Sequence, residues 1–567
     1  MNNSISLLSS IRLRACANSS RHTYAEQNRR SKHPQKRRQG RLRYWIVCLT
    51  FILFVSGCSS RSFIDTTPIP DDRHPVPKPE YRDTFNDFED FIEKQFSLQG
   101  EQMFDMSRNW RKLTNNPKEA YNVDAFDGVP NSSWFTNRHG GEGMDFEALV
   151  RGPNSGTGPD TSRAWNIIRA KGEGVTVGFT IVDGRGDTYV IKFDPIGFAG
   201  LNSGSEVIGA KLYYAAGFNT PENYVTFFDP KILSLGDKVK YTDEKGRKRY
   251  MVKEDLDHLL TRVDYLPNGL IRATASKYVP GKILGPFKYE NVRSDDPNDF
   301  IPHEHRRELR ALRVMAAWLN HIDSKGANSM DTYIGEDGEG YVNHFLIDFG
   351  TILGSGGRGP QPKYRGYHNE FDPKDLLFRI LTFGLYIPEW EKQAEEVPYP
   401  SIGRYDSEWF HPRKFEIIFP NTAFDNLTNA DAYWGAKLVM SFTDEELEAV
   451  VAEAHYPSQD AAAHLLKNMI ARREATGKYW FGQVTPLEVS EFKTDPNLGF
   501  QLNFSDLAIE HGFESVDCTL YRVWQYEPGE KMHSERITDK DRMKFTTEEL
   551  RPLSGNKLIL EISASRD

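Results

Sequence analysis

The chain has 567 residues, of which 38% are apolar, 12% aromatic and 27% charged, enough for several packed units of roughly 100–200 residues each. That balance excludes a wholly disordered chain, a collagen-like fibre and a multi-span membrane protein, and four cysteines exclude a disulfide-stapled miniprotein. The net charge of −9 divides into +10 over residues 1–57 (11 Lys/Arg against Glu26) and −19 over the rest, an acidic body for which nucleic acid is not an expected partner.

The basic stretch runs into Tyr44–Ser56, YWIVCLTFILFVS, 13 residues without a charge. At 1.5 Å per residue this is shorter than the roughly 20 residues of a spanning helix. Charge, apolar core and small residues in that order make a secretory signal peptide. The following Val55-Ser56-Gly57-Cys58 resembles the bacterial lipobox. That resemblance implies cleavage before Cys58, diacylglycerol on its sulfur and, with Ser59 next, an outer-membrane anchor facing the periplasm. Cleavage removes Cys16 and Cys48 and leaves an acylated Cys58 with Cys518, so no intramolecular disulfide is expected; Cys518 reads as a small core residue. Residues 1–57 are thus the signal segment, and 58–85, with Pro68, Pro70, Pro75, Pro77 and Pro79, an extended tether to the bilayer.

Residues 86–162 form an N-terminal extension: a helical pattern to about Trp110, then a turn-dense aromatic stretch over 121–140 that suits an ordered loop packed on a neighbour. Residues 163–280 read as a small lobe. Strands at 164–170 and 175–182 flank a glycine-rich hairpin, a short strand Thr188–Phe193 follows, a helix runs from about Gly204 to Ala216, and two more strands lie near 223–228 and 270–278. A charged hairpin is inserted over 238–253. Residues 281–482 turn helical, beginning with an amphipathic helix at Glu304–Leu319 and continuing near 373–386, 431–439, 443–455 and 459–475. Past Trp480 the pattern returns to strands, a C-terminal β domain over 483–567.

Two motifs carry chemistry. After the amphipathic helix comes His321-Ile-Asp323-Ser-Lys325-Gly-Ala-Asn328, and an apolar strand at 344–347 ends in Asp348-Phe349-Gly350. Upstream, Lys192 sits in the strand YVIKF, Glu206 opens the next helix, and Gly172, Gly174 and Gly178 mark the hairpin. Singly, each has a plainer role. Lys192 can snorkel to the surface, Glu206 can complement a helix dipole, and the glycines can simply turn a hairpin. His321 reads as a brace for its loop, His303-Glu-His305 as a surface cluster at a helix entry, and residues 354–360, GSGGRGP, as a flexible segment.

Together, in this order and spacing, the motifs resemble the catalytic and magnesium loops of the protein kinase-like superfamily, nearer its atypical bacterial and secreted branches. The resemblance covers about 163–480 and implies an α+β, bilobal kinase-like fold, here with an N-terminal extension and a C-terminal all-β, sandwich-like domain. It implies ATP with Mg²⁺ (or Mn²⁺) as cofactors. Asp323 would orient an acceptor hydroxyl and take its proton, and Lys325 would neutralise charge on the γ-phosphate. Lys192, fixed by Glu206, would bind the α- and β-phosphates beneath Gly172, Gly174 and Gly178, while Asp348 and Asn328 would hold the metal. The glycine pattern is G-x-G-x-x-x-G, no A-P-E follows the D-F-G, and only 14 residues separate Lys192 from Glu206. These departures leave the acceptor open, protein or small molecule. The alternatives are an inactive pseudokinase scaffold at the cell envelope, or AMP transfer on the same fold.

Overall fold

A computed structural model describes residues 69–566, except 83–91, 115–116, 125, 141–142, 171–176, 243–246, 371–372, 395, 496–498, 527–531, 539–541 and 546–558. The signal segment, Cys58, Gly172 and Gly174 therefore lie outside the described residues. The chain forms two compact units, one over 68–483 and one containing 484–567.

Within the first unit, a six-stranded sheet is built in the order 223–228, 271–277, 188–193, 178–182, 165–170 and a short edge strand at 233–235. Its neighbours are antiparallel except at that edge, where Leu233–Leu235 runs parallel to Trp165–Ile167. Strand Thr188–Phe193 shows how sequence places chemistry here. Alternation buries Tyr189, Ile191 and Phe193 on one face with Trp165, Phe179 and Phe228, which turns Lys192 to the other face. Opposite it, Gly178 pairs with Lys192, and a Cβ at Gly178 would fall 2.2 Å from the Ile191 carbonyl oxygen. This glycine is demanded by strand packing.

Helix Leu201–Ala216 packs against that second face and is buried almost throughout. The described sequence then passes through a three-stranded antiparallel sheet (Lys282–Gly285, Ser329–Ile334, Tyr341–Leu346) into a helical lobe of Arg307–Leu319, Asn429–Met440, Asp444–Ala452 and Gln459–Phe481. Sheet lobe followed by helical lobe is the bilobal α+β arrangement that the motifs imply. The second unit holds two three-stranded antiparallel sheets, which touch through Phe504 and Tyr521 with ring centroids 5.0 Å apart.

Several expectations need correction. Residues 69–82 are extended but not a free tether: Val76 joins Leu284, Tyr333 and Val342 in a small core, and buried Asp72 accepts from the Ser133 N–H at 2.7 Å. Proline-rich chain has few internal hydrogen bonds, so it docks readily by lending its carbonyls, as Val76 does to the Tyr333 hydroxyl at 2.6 Å. The 354–360 segment is a tight hairpin, Ser355–Gly356 against Gly359–Pro360, anchored by the buried Ser355 hydroxyl 2.6 Å from that of Ser205. His303 and His305 are buried; His303 is held by Asp299 at 2.7 Å, and no metal-holding group of His, Cys, Asp and Glu exists among the described residues. Cys518 is exposed, because it ends a short turn rather than lying within a strand.

Candidate active site

Three elements deliver the candidate residues. Strand 188–193 presents Lys192, helix 201–216 presents Glu206 one turn and a half from its start, and the strand ending at Leu346 runs into Asp348. Asp348 has φ 64°, a left-handed conformation that aspartate tolerates better than most residues. It re-aims the chain so that Asp348 and Phe349 face opposite ways: Phe349 stacks on Tyr213 at 5.1 Å under the helix, and the Asp348 side chain remains 43% exposed.

Lys192 Nζ donates to Glu206 Oε2 at 3.1 Å and to Asp348 Oδ1 at 2.9 Å. Glu206 is 1% exposed, and its Oε1 accepts from the Phe349 N–H at 3.1 Å. One carboxylate thus ties the lysine strand, its own helix and the Asp348 loop together. Burial pushes Glu206 up from its ordinary value while Lys192 pulls it down. Burial also opposes the Lys192 ammonium, but Asp348 and Glu206 outweigh it and hold that group above its usual range.

The Asp323 loop begins where helix Arg307–Leu319 ends on Asn320, which has left-handed φ 52° and ψ 44°. Asn328 Nδ2 donates to the Asp323 carbonyl at 2.8 Å and to Oδ2 at 3.0 Å, and Lys325 Nζ lies 3.2 Å from Oδ1. Burial raises the Asp323 carboxyl above the ordinary range against the pull of Lys325, and the Asp348 charge adds to the rise. The two loops are joined directly, since the Ile347 N–H donates to the Asn328 carbonyl at 3.0 Å. His321 is the brace expected: its Nδ1 meets the Tyr213 hydroxyl at 3.0 Å inside the core.

Lys192 on its strand, Glu206 on its helix, and Asp348, Asp323, Lys325 and Asn328 on two joined loops therefore form one connected set, with Gly178 in the adjoining strand. Magnesium takes few protein ligands and fills its remaining positions with phosphate oxygens and water. Asp348 and Asn328 fit that demand: one is a half-exposed carboxylate, and the other spends its amide nitrogen on Asp323, leaving Oδ1 as the atom to ligate.

Sequence reasoning missed the supports. Asp194, two residues after Lys192, accepts from the N–H groups of Gly200, Asn202 and Ser203 at 2.8 Å each, so it caps the helix from outside. That cap lets the short connection work. Arg272, buried, donates to the Ser203 hydroxyl and to the carbonyls of Ala454 and His455, and Asn202 Nδ2 holds the Gly350 carbonyl at 3.1 Å. An Asp-Pro pair shortly before a helix was a readable signal for the first of these; the others had none.

No family model matches the sequence, and no curated protein does. Eight chains among solved structures match. One is a crystal structure of the Golgi casein kinase with Mn/ADP bound, with a TM-score of 0.25, 10% identity, and coverage of 72% of this chain and 94% of that chain. Another structure of the Golgi casein kinase matches with a TM-score of 0.26 and the same identity and coverage. Likeness at that level carries no functional weight, so the chemistry is read from the geometry.

Proposed function

We propose that this chain is a lipid-anchored bacterial envelope protein that transfers a phosphoryl group from ATP to the hydroxyl of an acceptor, with Mg²⁺ or Mn²⁺. The observation that supports this reading is Lys192 Nζ held 3.1 Å from Glu206 and 2.9 Å from Asp348, beside a loop in which Asp323, Lys325 and Asn328 converge. Phosphoryl transfer asks the protein for positioning and for compensation of phosphate charge. Lys192, fixed by a buried carboxylate, is a cation that cannot wander, suited to the α- and β-phosphates. Asp323 Oδ1 would accept the hydroxyl proton, and burial has already raised its affinity for one. Lys325, 3.2 Å away, would place positive charge beside the transferring group. A divalent cation held by Asp348 and Asn328 would neutralise phosphate oxygens. Cys58 would carry the lipid that keeps the site at the membrane.

Thermal unfolding of the full chain with ATP, with and without Mg²⁺, tests the reading. At about a hundredfold excess over Kd a native-state ligand adds about 2.7 kcal/mol, so a metal-dependent rise in Tm is expected. Asp348→Ala should abolish it. Asp323→Asn should keep it yet fail to transfer label from γ-labelled ATP. A folded protein with no response to any nucleotide or metal overturns the reading in favour of the scaffold.

A further inference from the structure

Helix Pro373–Leu381 turns its polar side to the protein and its apolar side to solvent. Asp375 pairs with Arg379 at 2.8 Å, and Arg379 reaches on to Glu391 and lies over the Trp390 ring at 5.8 Å. On the opposite surface stand Leu376, Leu377, Ile380 and Leu381, each at least half exposed. At about 100° per residue these four cover about 140° of the helix. The chain then folds back on the helix end: the Gly384 N–H donates to the Arg379 carbonyl at 2.8 Å, and the Phe378 and Tyr386 rings lie 5.7 Å apart. At the tip of this turn Phe383 is 96% exposed, and Leu385 and Ile387 beside it are exposed as well. From Ile380 to Pro388 no residue is charged. An apolar helix face continued by an apolar turn is more than the scattered exposed residues of an ordinary surface, and it calls for an apolar partner.

Two observations select that partner. The surface projects: a Cβ built on Gly384 would meet nothing within 4 Å. A deformable bilayer accepts an apolar wedge, whereas a protein must supply a hollow that matches it. The second observation is chain length. Asp72 is fixed to Ser133, and 14 residues separate it from Cys58, at most about 50 Å of extended chain. With lipid on Cys58, the helix is confined to the bilayer surface at high effective concentration. The patch is also tied to the candidate site. The Glu370 N–H, three residues before Pro373, donates to the Ile418 carbonyl at 2.7 Å, and the Ile418 N–H donates to the carbonyl of Ile322, next to Asp323, at 2.8 Å.

We infer that residues 376–387 insert into the interfacial layer of the bilayer and hold the Asp323 loop at the membrane surface. The inference rests on the anchored reading of Cys58 and not on phosphoryl transfer. The patch seats a chain that is already tethered and does not anchor it alone, so loss of the lipid still releases the protein.

The test uses the full lipidated chain in vesicles of phosphatidylethanolamine and phosphatidylglycerol, with an environment-sensitive fluorophore on Phe383→Cys in a Cys518→Ser background. Emission should shift to the blue and lose most of its intensity when the lipid acyl chains carry bromine. The same label on Tyr250→Cys, exposed on strand Lys248–Tyr250, should keep its intensity. Leu377→Glu with Leu381→Glu, at exposed positions whose replacement should leave the unfolding midpoint in place, should abolish the loss at Phe383→Cys. The background alone should take up no label. Uptake there overturns the anchored reading only, and the patch is then judged by the same quenching with excess vesicles added to a chain whose other cysteines are all serine. Quenching confined to Phe383→Cys and lost in the double substitution upholds the inference. No quenching, equal quenching at Tyr250→Cys, or quenching indifferent to the double substitution overturns it. Energy transfer between copies labelled at Phe383→Cys in plain vesicles also overturns it, since a second copy then covers the patch.

Discussion

Replacing Lys192 with methionine removes the cation shared by Glu206 and Asp348, and the two carboxylates should respond unequally. Asp348 is 43% exposed and Glu206 only 1%, so water screens the first and not the second. An orphaned buried carboxylate has one escape, which is to take a proton. From an ordinary value of 4.5, holding that proton costs about 3.4 kcal/mol at pH 7 and about 0.7 kcal/mol at pH 5, at about 1.36 kcal/mol per unit. Those figures cap the part of the Lys192→Met destabilisation that falls on Glu206 at each pH. A carboxyl that is protonated when folded and ionised when unfolded adds stability as pH falls, so the gap from the parent protein should narrow between pH 7 and pH 5, by at most about 1.4 kcal/mol per unit. Glu206 sits in helix Leu201–Ala216, so hydrogen exchange of that helix in the full chain, corrected for intrinsic rates, reads the local opening energy directly. A gap that stays flat with pH, or is under about 1 kcal/mol at pH 7, would refute the buried triad as described.

Burial draws His321 down from 6.5 to about 4; the unfolded chain takes the proton first, so its contribution is complete above pH 6.5 and should fall by about 2 kcal/mol as pH drops to 5, a loss that His321→Asn should remove from urea unfolding midpoints measured at pH 7 and pH 5. Gly178→Ala should lower stability by about 1–3 kcal/mol in thermal melts, because its Cβ would lie 2.2 Å from the Ile191 carbonyl oxygen; an unchanged melt means that strand 188–193 is not paired as described. Cys58→Ala should move the protein from the membrane pellet to the soluble fraction, and persistent pelleting would place the anchor elsewhere.

The candidate site was legible because its motifs fix few residue types at set spacings. The structure draws Lys192, Glu206, Asp323, Asn328 and Asp348 into one hydrogen-bonded set. The glycines were less legible. Gly178 reads as phosphate-loop chemistry in sequence, and strand packing by itself already requires a glycine there, because absence of a side chain serves every close approach alike. The edge strand Leu233–Leu235 is three residues long, too short to show a period.

The larger misreading concerns the helix that leads into Asp323. Its apolar positions, Leu309, Leu312, Val314, Met315, Trp318 and Leu319, read as an amphipathic helix with one buried face and one solvated face. Instead the charged face is also buried: Arg307, Glu308 and Arg310 are at most 1% exposed. Arg307 pairs with Asp127 at 2.6 Å and Asp431 at 3.1 Å, and Arg310 pairs with Asp431 at 3.2 Å. Asn122 accepts from the Arg307 N–H at 2.7 Å, and Arg310 donates to the Lys118 carbonyl at 3.0 Å. Hydropathy patterns assume that charge means water, and here charge means a partner roughly 180 residues away in sequence. The same network explains why the turn-dense stretch that begins near 121 has no apolar period: part of it satisfies buried arginines, which needs carboxylates, amides and carbonyls in turns. Since removing one partner of a buried pair costs more than the pair gains, the extension is bound to the helix that ends at the Asp323 loop. The N-terminal extension is thereby part of the packing behind the candidate site, through Arg307 and Arg310 of the helix that precedes the Asp323 loop.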